Sequence, residues 1–466
     1  MTWQKIKIRK ILTESKVPSD SPDPDKRITV KLNVKGVEKR PFENGIEGGT
    51  KYYIRRAGQF IYGKQNLFKG AFGIIPSELD GFESSSDIPT FDIHEDCLSE
   101  WIFYFLKQGD FYKSLEGLAK GTGSKRIHPE QFFDIDIPFP SREEQQEIIK
   151  KIKSFETKYD TLQSELKLQS ELLTQLRQAI LREAVQGKLV PQDPADEPAS
   201  ELLKRIRAEK EQLIREGKLK KEKPLPPITP EEIPFELPQG WVWCRLGDVT
   251  LKSESGKSFT CEKYPAEYPE WGVIKVSAIS WDAFNEKENK ALLRNTQPTL
   301  AYQIHEGDYL ISRANTEDLV GKSVVVGKVS LNVLLSDKSI RFLFSSKVDK
   351  HYINLLNNSS IAREYYKEVA TGTSDSMKNI SREQMYSLLI PLPPFAEQNR
   401  IVEKVESLMT LCTQLEAQIT TSQQQAEQLM QTVLRDAFTN PDIMEEAELL
   451  GEEKATLFET EQLRLF

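Results

Sequence analysis

Residues 137–184 read IPFPSREEQQEIIKKIKSFETKYDTLQSELKLQSELLTQLRQAILREA, and residues 390–437 read IPLPPFAEQNRIVEKVESLMTLCTQLEAQITTSQQQAEQLMQTVLRDA. Set one above the other at a constant offset of 253 and without a gap, they match at Ile137-Pro138, Glu144-Gln145, Ile148, Lys151, Leu162, Gln175-Leu176, Leu181-Arg182 and Ala184. Such persistence of register marks an internal repeat, and a repeat decides the architecture before any single motif does. In the first copy Ile148, Ile152, Phe155, Tyr159, Leu162, Leu166, Leu173, Leu176 and Ile180 follow alternating steps of four and three. The second carries Ile401, Val405, Leu408, Cys412, Leu415, Ile419, Ala426, Leu429 and Val433 in the same register. This is a heptad seam, uninterrupted by Pro or Gly beyond the opening turn, and it predicts two helices each roughly 65–70 Å long at 1.5 Å per residue. An apolar stripe of that length needs another helix to cover it, and the repeat partner is the nearest candidate. Gln169 and Ser422 occupy equivalent polar slots in the seam. Two readings of them stay open: they fix register and direction at a cost in stability, or they are tolerated where the seam is wet.

Working outward, each helix is preceded by a related approach. Ile127-His128-Pro129-Glu130-Gln131-Phe132 corresponds to Ile380-Ser381-Arg382-Glu383-Gln384-Met385, and Gly58-Gln59-Phe60-Ile61-Tyr62 resembles Gly307-Asp308-Tyr309-Leu310-Ile311. Short apolar runs such as Ser323-Val324-Val325-Val326, punctuated by Gly, Asn, Asp and Pro, predict mixed bodies with much β-structure. The expected order is a first body over 1–140, a helix over 141–185, a Pro-rich connector with a short helix over 186–240, a second body over 241–390, a second helix over 391–438 and an acidic tail over 439–466. The fold class expected is α+β, two mixed β-rich domains joined by two long helices in a tandem pseudo-twofold repeat.

The chain has 466 residues and a formal net charge of −8. Four scattered cysteines (Cys97, Cys244, Cys261, Cys412) form no Cys-x-x-Cys pair, as expected of free thiols in a reducing cytosol. Neither a signal peptide nor an apolar stretch of about 18 residues is present, so a cytoplasmic protein without a membrane partner is expected. The four histidines are dispersed, which gives a metal site no support. Gly256-Lys257-Ser258 and Gly321-Lys322-Ser323 lack the glycine five residues before the Gly-Lys pair (Leu251 and Thr316 stand there), and no G-x-G-x-x-G occurs. Pro391-Leu392-Pro393-Pro394-Phe395 lacks the Asn or Asp with which an amino-methylating enzyme holds its target amine. No catalytic constellation, cofactor site or metal site is expected.

The stretch LVPQDPADEPASELLKRIRAEKEQLIREGKLKKEKPLPPITPEEIPFELPQGWVWCRLGDV (residues 189–249) resembles the central conserved region of type I restriction–modification specificity subunits, and residues 390–419 resemble the distal conserved region of the same family. With the first helix copy these regions cover roughly a third of the chain. The resemblance implies two target-recognition domains joined by two long antiparallel helices, in a DNA-reading subunit without catalysis of its own. It implies double-stranded DNA with a bipartite asymmetric target, two methyltransferase (M) subunits carrying S-adenosylmethionine, and restriction (R) subunits using ATP and Mg²⁺ as partners. The first body departs from the pattern. Its opening Met1-Thr2-Trp3-Gln4-Lys5-Ile6 is a poorer version of Trp241-Val242-Trp243-Cys244-Arg245-Leu246.

Base edges are read by Arg, Lys, Asn, Gln, Ser and Thr at domain surfaces. The candidates are Lys120, Thr122, Ser124, Lys125 and Arg126 in the first body, in a Gly-flanked loop before Ile127. In the second they are Ser312, Arg313, Asn315 and Lys322 after the Tyr309-Leu310-Ile311 strand, with Thr373, Lys378 and Asn379 in the loop matching that of the first. The competing reading is a non-enzymatic coiled-coil adaptor displaying two protein-binding domains, which leaves the divergence between the two bodies unaccounted for. Charge by region bears on both readings. Residues 1–140 carry 21 basic and 20 acidic groups, whereas residues 391–466 carry 5 and 14. The excess acid lies away from the proposed readers, which predicts modest DNA affinity without basic partners.

Overall fold

The computed structural model describes residues 3–41, 50–121, 124–280, 283–374 and 377–439. The expected acidic tail over 439–466 lies, past its first residue, outside them. Helix and strand are mixed throughout. The chain divides into two compact units, Met1–Leu168 with Ile419–Phe466, and Gln169–Gln418.

Both long helices are present, over Arg142–Val185 and Phe395–Thr439. Of the seam positions, Ile148, Ile152, Leu166, Leu173, Ile180, Ile401, Val405, Cys412, Ala426 and Val433 are buried. Leu162 and Leu176 remain 39% and 47% exposed, so the stripe is not covered evenly along its length. Gln169 and Ser422 are both half-buried. No helix among the described residues is long and apolar enough to cross a membrane.

In the first unit, Leu12–Ser15, Thr90–Ile93, Phe60–Tyr62 and Phe72–Ile74 form a four-stranded antiparallel sheet in that spatial order. Its inner face packs aromatic rings, with Phe60 stacked on Phe132 at 5.5 Å and Tyr62 on Phe91 at 5.6 Å. Offset stacks of this kind add to the area they bury. The same core takes in Ile148, Ile149 and Ile152 from the start of the first long helix and Met430, Val433, Leu434, Ala437 and Phe438 from the end of the second. Phe438 lies 4.5 Å from the ring of Trp101. Beneath the sheet, buried Arg55 donates to Ser84 Oγ, Ser15 O, Thr90 Oγ1 and Ile88 O, and burial without a carboxylate partner lowers its pKa to about 10.

In the second unit, Thr250–Ser255, Ser339–Phe344, Tyr309–Ser312 and Ser323–Val325 form a four-stranded antiparallel sheet with the same order of connections. A three-stranded sheet of Asn289–Ala291, Trp271–Ile274 and Asn332–Leu334 lies in the same body. The connector contains a helix over Ala199–Arg215. Its Pro-rich part is fastened by buried Arg245, which donates to Pro226 O, Pro227 O and Ser387 O and reaches both carboxylate oxygens of Glu232 at 2.9 and 3.0 Å. A planar guanidinium suits this task, since its donors radiate in a fixed fork.

Each long helix begins with a buried glutamine that ties it to its own body. Gln145 Nε2 donates to Pro140 O and Asp96 O, each at 3.1 Å, while its Oε1 accepts the Leu98 N–H at 2.9 Å. Gln398 Nε2 donates to Pro393 O at 3.0 Å, and its Oε1 accepts the Asp349 N–H at 2.8 Å. Leu98 and Asp349 are the N-terminal flanking residues of the body helices Ser99–Lys107 and Lys350–Asn358.

Strand register corrects the comparison of the two body openings. Ile6 faces Ile137, and Cys244 faces Ile390, the repeat equivalent of Ile137. The Ile8 N–H donates to Ile135 O and the Leu246 N–H to Leu388 O, both at 2.9 Å. Trp3 therefore corresponds to Trp241, two residues from the ungapped match of Met1–Ile6 with Trp241–Leu246. The glutamate before each glutamine differs in setting. Glu144 is exposed and capped by Ser141, whereas Glu397 is buried and accepts the Trp241 Nε1–H at 3.0 Å and a Gln192 amide proton at 3.2 Å.

These helix starts can be tested by substitution. Gln145→Ala and Gln398→Ala each leave buried main-chain groups unpaired and are expected to cost roughly 1–3 kcal/mol in chemical denaturation, while exposed Gln146→Ala stays within about 0.5 kcal/mol. Burial raises the pKa of Glu397 above its ordinary value, so the fold favours the protonated carboxyl. Its contribution is complete below the ordinary glutamate range and is lost as pH rises through the folded value. Stability measured relative to Glu397→Gln should therefore fall as pH rises from the ordinary glutamate range, about pH 4, toward neutrality; a pH-independent difference would contradict the assignment.

Candidate nucleic-acid interface

In the first body the candidate loop is closed by a pair of main-chain bonds, Lys120 N–H to Arg126 O and Arg126 N–H to Lys120 O, both at 2.9 Å. Gly121 sits at φ +130°, and a β-carbon there would lie 2.5 Å from Ser124 O, so the turn requires glycine. Lys120, Ser124 and Lys125 are exposed, and Arg126 is half-buried. Lys125 Nζ pairs with Glu116 at 2.8 Å, and Arg126 Nη2 lies 3.6 Å from Asp87. With its amide oriented to satisfy its neighbours, Gln65 accepts from Ser124 Oγ at 3.2 Å and from Arg126 Nη2 at 2.8 Å. Thr122 lies outside the described residues.

In the second body the corresponding loop is a small sheet. Ala314–Asn315 pairs with Met377–Asn379, which pairs in turn with Thr371–Ser374. Asn315 thereby faces Lys378, and Ala314 faces Asn379. Gly372, at φ +143°, repeats the close approach, with a β-carbon 2.6 Å from Met377 O. Lys378 Nζ reaches Gly372 O at 3.2 Å, and Asn315 Nδ2 donates to Ser280 Oγ at 3.0 Å. Thr373 lies in the outer strand, with its side chain outside the described residues. Lys322 joins the group through its carbonyl, which accepts the Ser312 N–H at 2.9 Å.

One candidate is corrected. Ser312 is fully buried and turns its hydroxyl back toward Ala314 O at 3.4 Å, so it supports the end of the strand and offers no group to a ligand. The structure thus brings Arg313, Asn315, Lys322, Thr373, Lys378 and Asn379 together in one body, and Lys120, Ser124, Lys125 and Arg126 in the other. Composition did not single out Lys64, Gln65 or Ser280, which stand beside these loops. Lys64 is found by its main-chain bond to Ile127, and Gln65 and Ser280 by side-chain bonds to Ser124 and Arg126 and to Asn315, none of which residue spacing reports. The exposed members are Lys120, Ser124 and Lys125, and the half-buried ones add Arg126, Arg313, Lys322, Lys378 and two asparagines, a basic and amide-bearing set suited to base edges and phosphates. Among the described residues no group of three or more His, Cys, Asp or Glu side chains could hold a metal ion.

Comparison with known proteins bears on this arrangement. The family described as "Type I restriction modification DNA specificity domain" matches residues 82–171 and 238–422. The specificity subunit of the type I restriction enzyme EcoEI from Escherichia coli is 42% identical over 267 residues, which span 57% of this chain and 44% of that protein, less than half its length. The EcoAI specificity subunit, also from Escherichia coli, is 31% identical over 424 residues, spanning 80% of this chain and 68% of the relative. Among solved structures, the HsdS subunit from Thermoanaerobacter tengcongensis aligns with a TM-score of 0.55 at 16% identity, covering 94% of this chain and 97% of that one. A chain from a study of complex assembly and conformational transition of the type I R-M system aligns with a TM-score of 0.58 at 16% identity, covering 94% and 98%. These two likenesses establish a shared fold. With the family description matched over more than half of its residues, and a 31% identical relative covered over two thirds of its length, this chain belongs to the type I restriction–modification specificity subunits.

Proposed function

We propose that the chain is the non-catalytic DNA-reading subunit of a type I restriction–modification complex, in which each body reads one half of a bipartite, asymmetric target. The observation that carries this reading is the pairing of likeness and difference between the bodies. Each has a four-stranded sheet of the same order and a glycine-gated loop beside it, yet the side chains at the loops differ. A common frame with different exposed groups is what two unequal half-sites require.

The two long helices, acting as an antiparallel coiled coil in a tandem pseudo-twofold repeat, would set the unread spacer between the half-sites. Paired readers engage the duplex about one helical turn apart, roughly 34 Å, or a multiple of it. The boundaries expected from sequence, with recognition domains over 1–140 and 241–390, describe the same division of labour. Two methyltransferase subunits and, through the complex, restriction subunits are the proposed partners. The structural relative tied to complex assembly of a type I system supports such an assembly. The bodies are close to electrically neutral, so the partners are expected to supply much of the grip on phosphate. No cofactor is assigned to this chain, and a cytoplasmic location fits DNA as its ligand.

Sequencing that detects methylated adenine in host DNA, with and without this gene, tests the reading: a bipartite motif should vanish on deletion, and an unchanged methylome would refute it. The helices carry a separate prediction. Inserting seven residues, one heptad, into both should lengthen the preferred spacer or abolish recognition, and an unchanged spacer preference would exclude a ruler.

A further inference from the structure

Lys64 and Arg313 occupy the same place in their two bodies. Each follows the strand that lies third in its sheet, Phe60–Tyr62 in the first and Tyr309–Ser312 in the second. The Lys64 N–H donates to Asp87 O at 2.9 Å, and its carbonyl accepts the Ile127 N–H at 2.8 Å. The Arg313 N–H donates to Lys338 O, and its carbonyl accepts the Ile380 N–H, both at 2.9 Å. Ile127 and Ile380 are equivalent in the 253-residue repeat, and both are fully buried. The preceding residues agree as well, with Gly63 N–H bound to Ala71 O and Ser312 N–H to Lys322 O, each at 2.9 Å. Both cations are therefore fixed at the main chain by a turn that leads into the neighbouring strand and by the first residue after the glycine-gated loop.

Their side chains share a second property. Both are half-buried, and among the described residues neither the Lys64 ammonium nor the Arg313 guanidinium has a hydrogen-bond or ion-pair partner. Most nearby candidates are already engaged: Lys125 with Glu116, Arg126 with Asp87 and Gln65, Lys378 with Gly372. A half-buried cation has lost part of its hydration, and a ligand carrying strong acceptors offsets that loss. The guanine edge in the major groove presents two such acceptors, O6 and N7, to Lys or Arg.

We propose that Lys64 and Arg313 are matched specificity-determining residues, each contacting a guanine in the half-site read by its own body. This rests on the DNA-reading function proposed above. The test expresses the chain with its methyltransferase subunit in a host lacking other adenine methylation and maps methylated adenines along the chromosome. Lys64→Ala should relax one guanine position in one half-site, and Arg313→Ala one guanine position in the other, each with about tenfold or greater loss of discrimination there. Lys64→Gln and Arg313→Gln, which keep reach and favour adenine, should relax or redirect the same positions. The assignment is overturned if the motif is unchanged, if both changes fall in one half-site, or if methylation drops evenly with the motif intact, the mark of a phosphate contact. Loss of all methylation by both variants of a residue, in protein whose thermal melt is unaltered, also overturns it. A wild-type chain that directs no bipartite methylation would instead defeat the DNA-reading function itself.

Discussion

The junction between each long helix and its body depends on one buried amide. Gln145 and Gln398 sit in the first helical turn, where main-chain groups lack partners within the helix. Each spends its donor on a carbonyl just before the helix and its acceptor on an N–H flanking a body helix. Helix direction, the position of the body helix and the return of the strand before the long helix are all referred to that side chain. An unpaired amide in such a place would cost the full desolvation of its polar atoms, so geometry that fails to satisfy it is disfavoured. The strands entering each helix are held from the other side as well, by Trp101 Nε1–H on Pro138 O and by the Tyr352 hydroxyl on Pro391 O.

Much of this was legible in the residues. Unbroken heptad spacing revealed both long helices, because an apolar stripe sustained at a period near 3.5 runs straight only along a helix packed lengthwise on a neighbour. What spacing could not show was how completely each seam position is covered; Leu162 and Leu176 belong to the pattern yet stay substantially exposed. The true pairing of the body openings lies two residues from the one the residues suggest, because tryptophan and apolar residues alternate along Trp241–Leu246, and several registers match about equally well there. Hydrogen bonding between strands resolves it, since each strand's partners fix which residues stand opposite one another.

The candidate interface was legible in part. The Gly-flanked loop before Ile127 and its match in the second body were legible as a recurring pair, and the structure adds that Gly121 and Gly372 stand where only glycine fits, beside corresponding sheets. Ser312 has the character of a surface hydroxyl but lies at the buried end of a strand, because the chain turns one residue later than its composition suggests. The role of Lys64 is hidden in the sequence for a different reason. Lys64 does align with Arg313 at the offset of 249 that matches Gly58 with Gly307, but the shift to 253 at Ile127 and Ile380 hides that both residues bond to the same isoleucine of the repeat.

The glutamine fastenings address only N–H and C=O groups on the body side. Every residue except proline supplies both, whatever its side chain. A fastening of this kind is indifferent to the chemistry of the part it holds, provided the backbone arrives on the same path. The surface of a body can therefore drift, acquire insertions or be replaced wholesale without disturbing the socket that receives it.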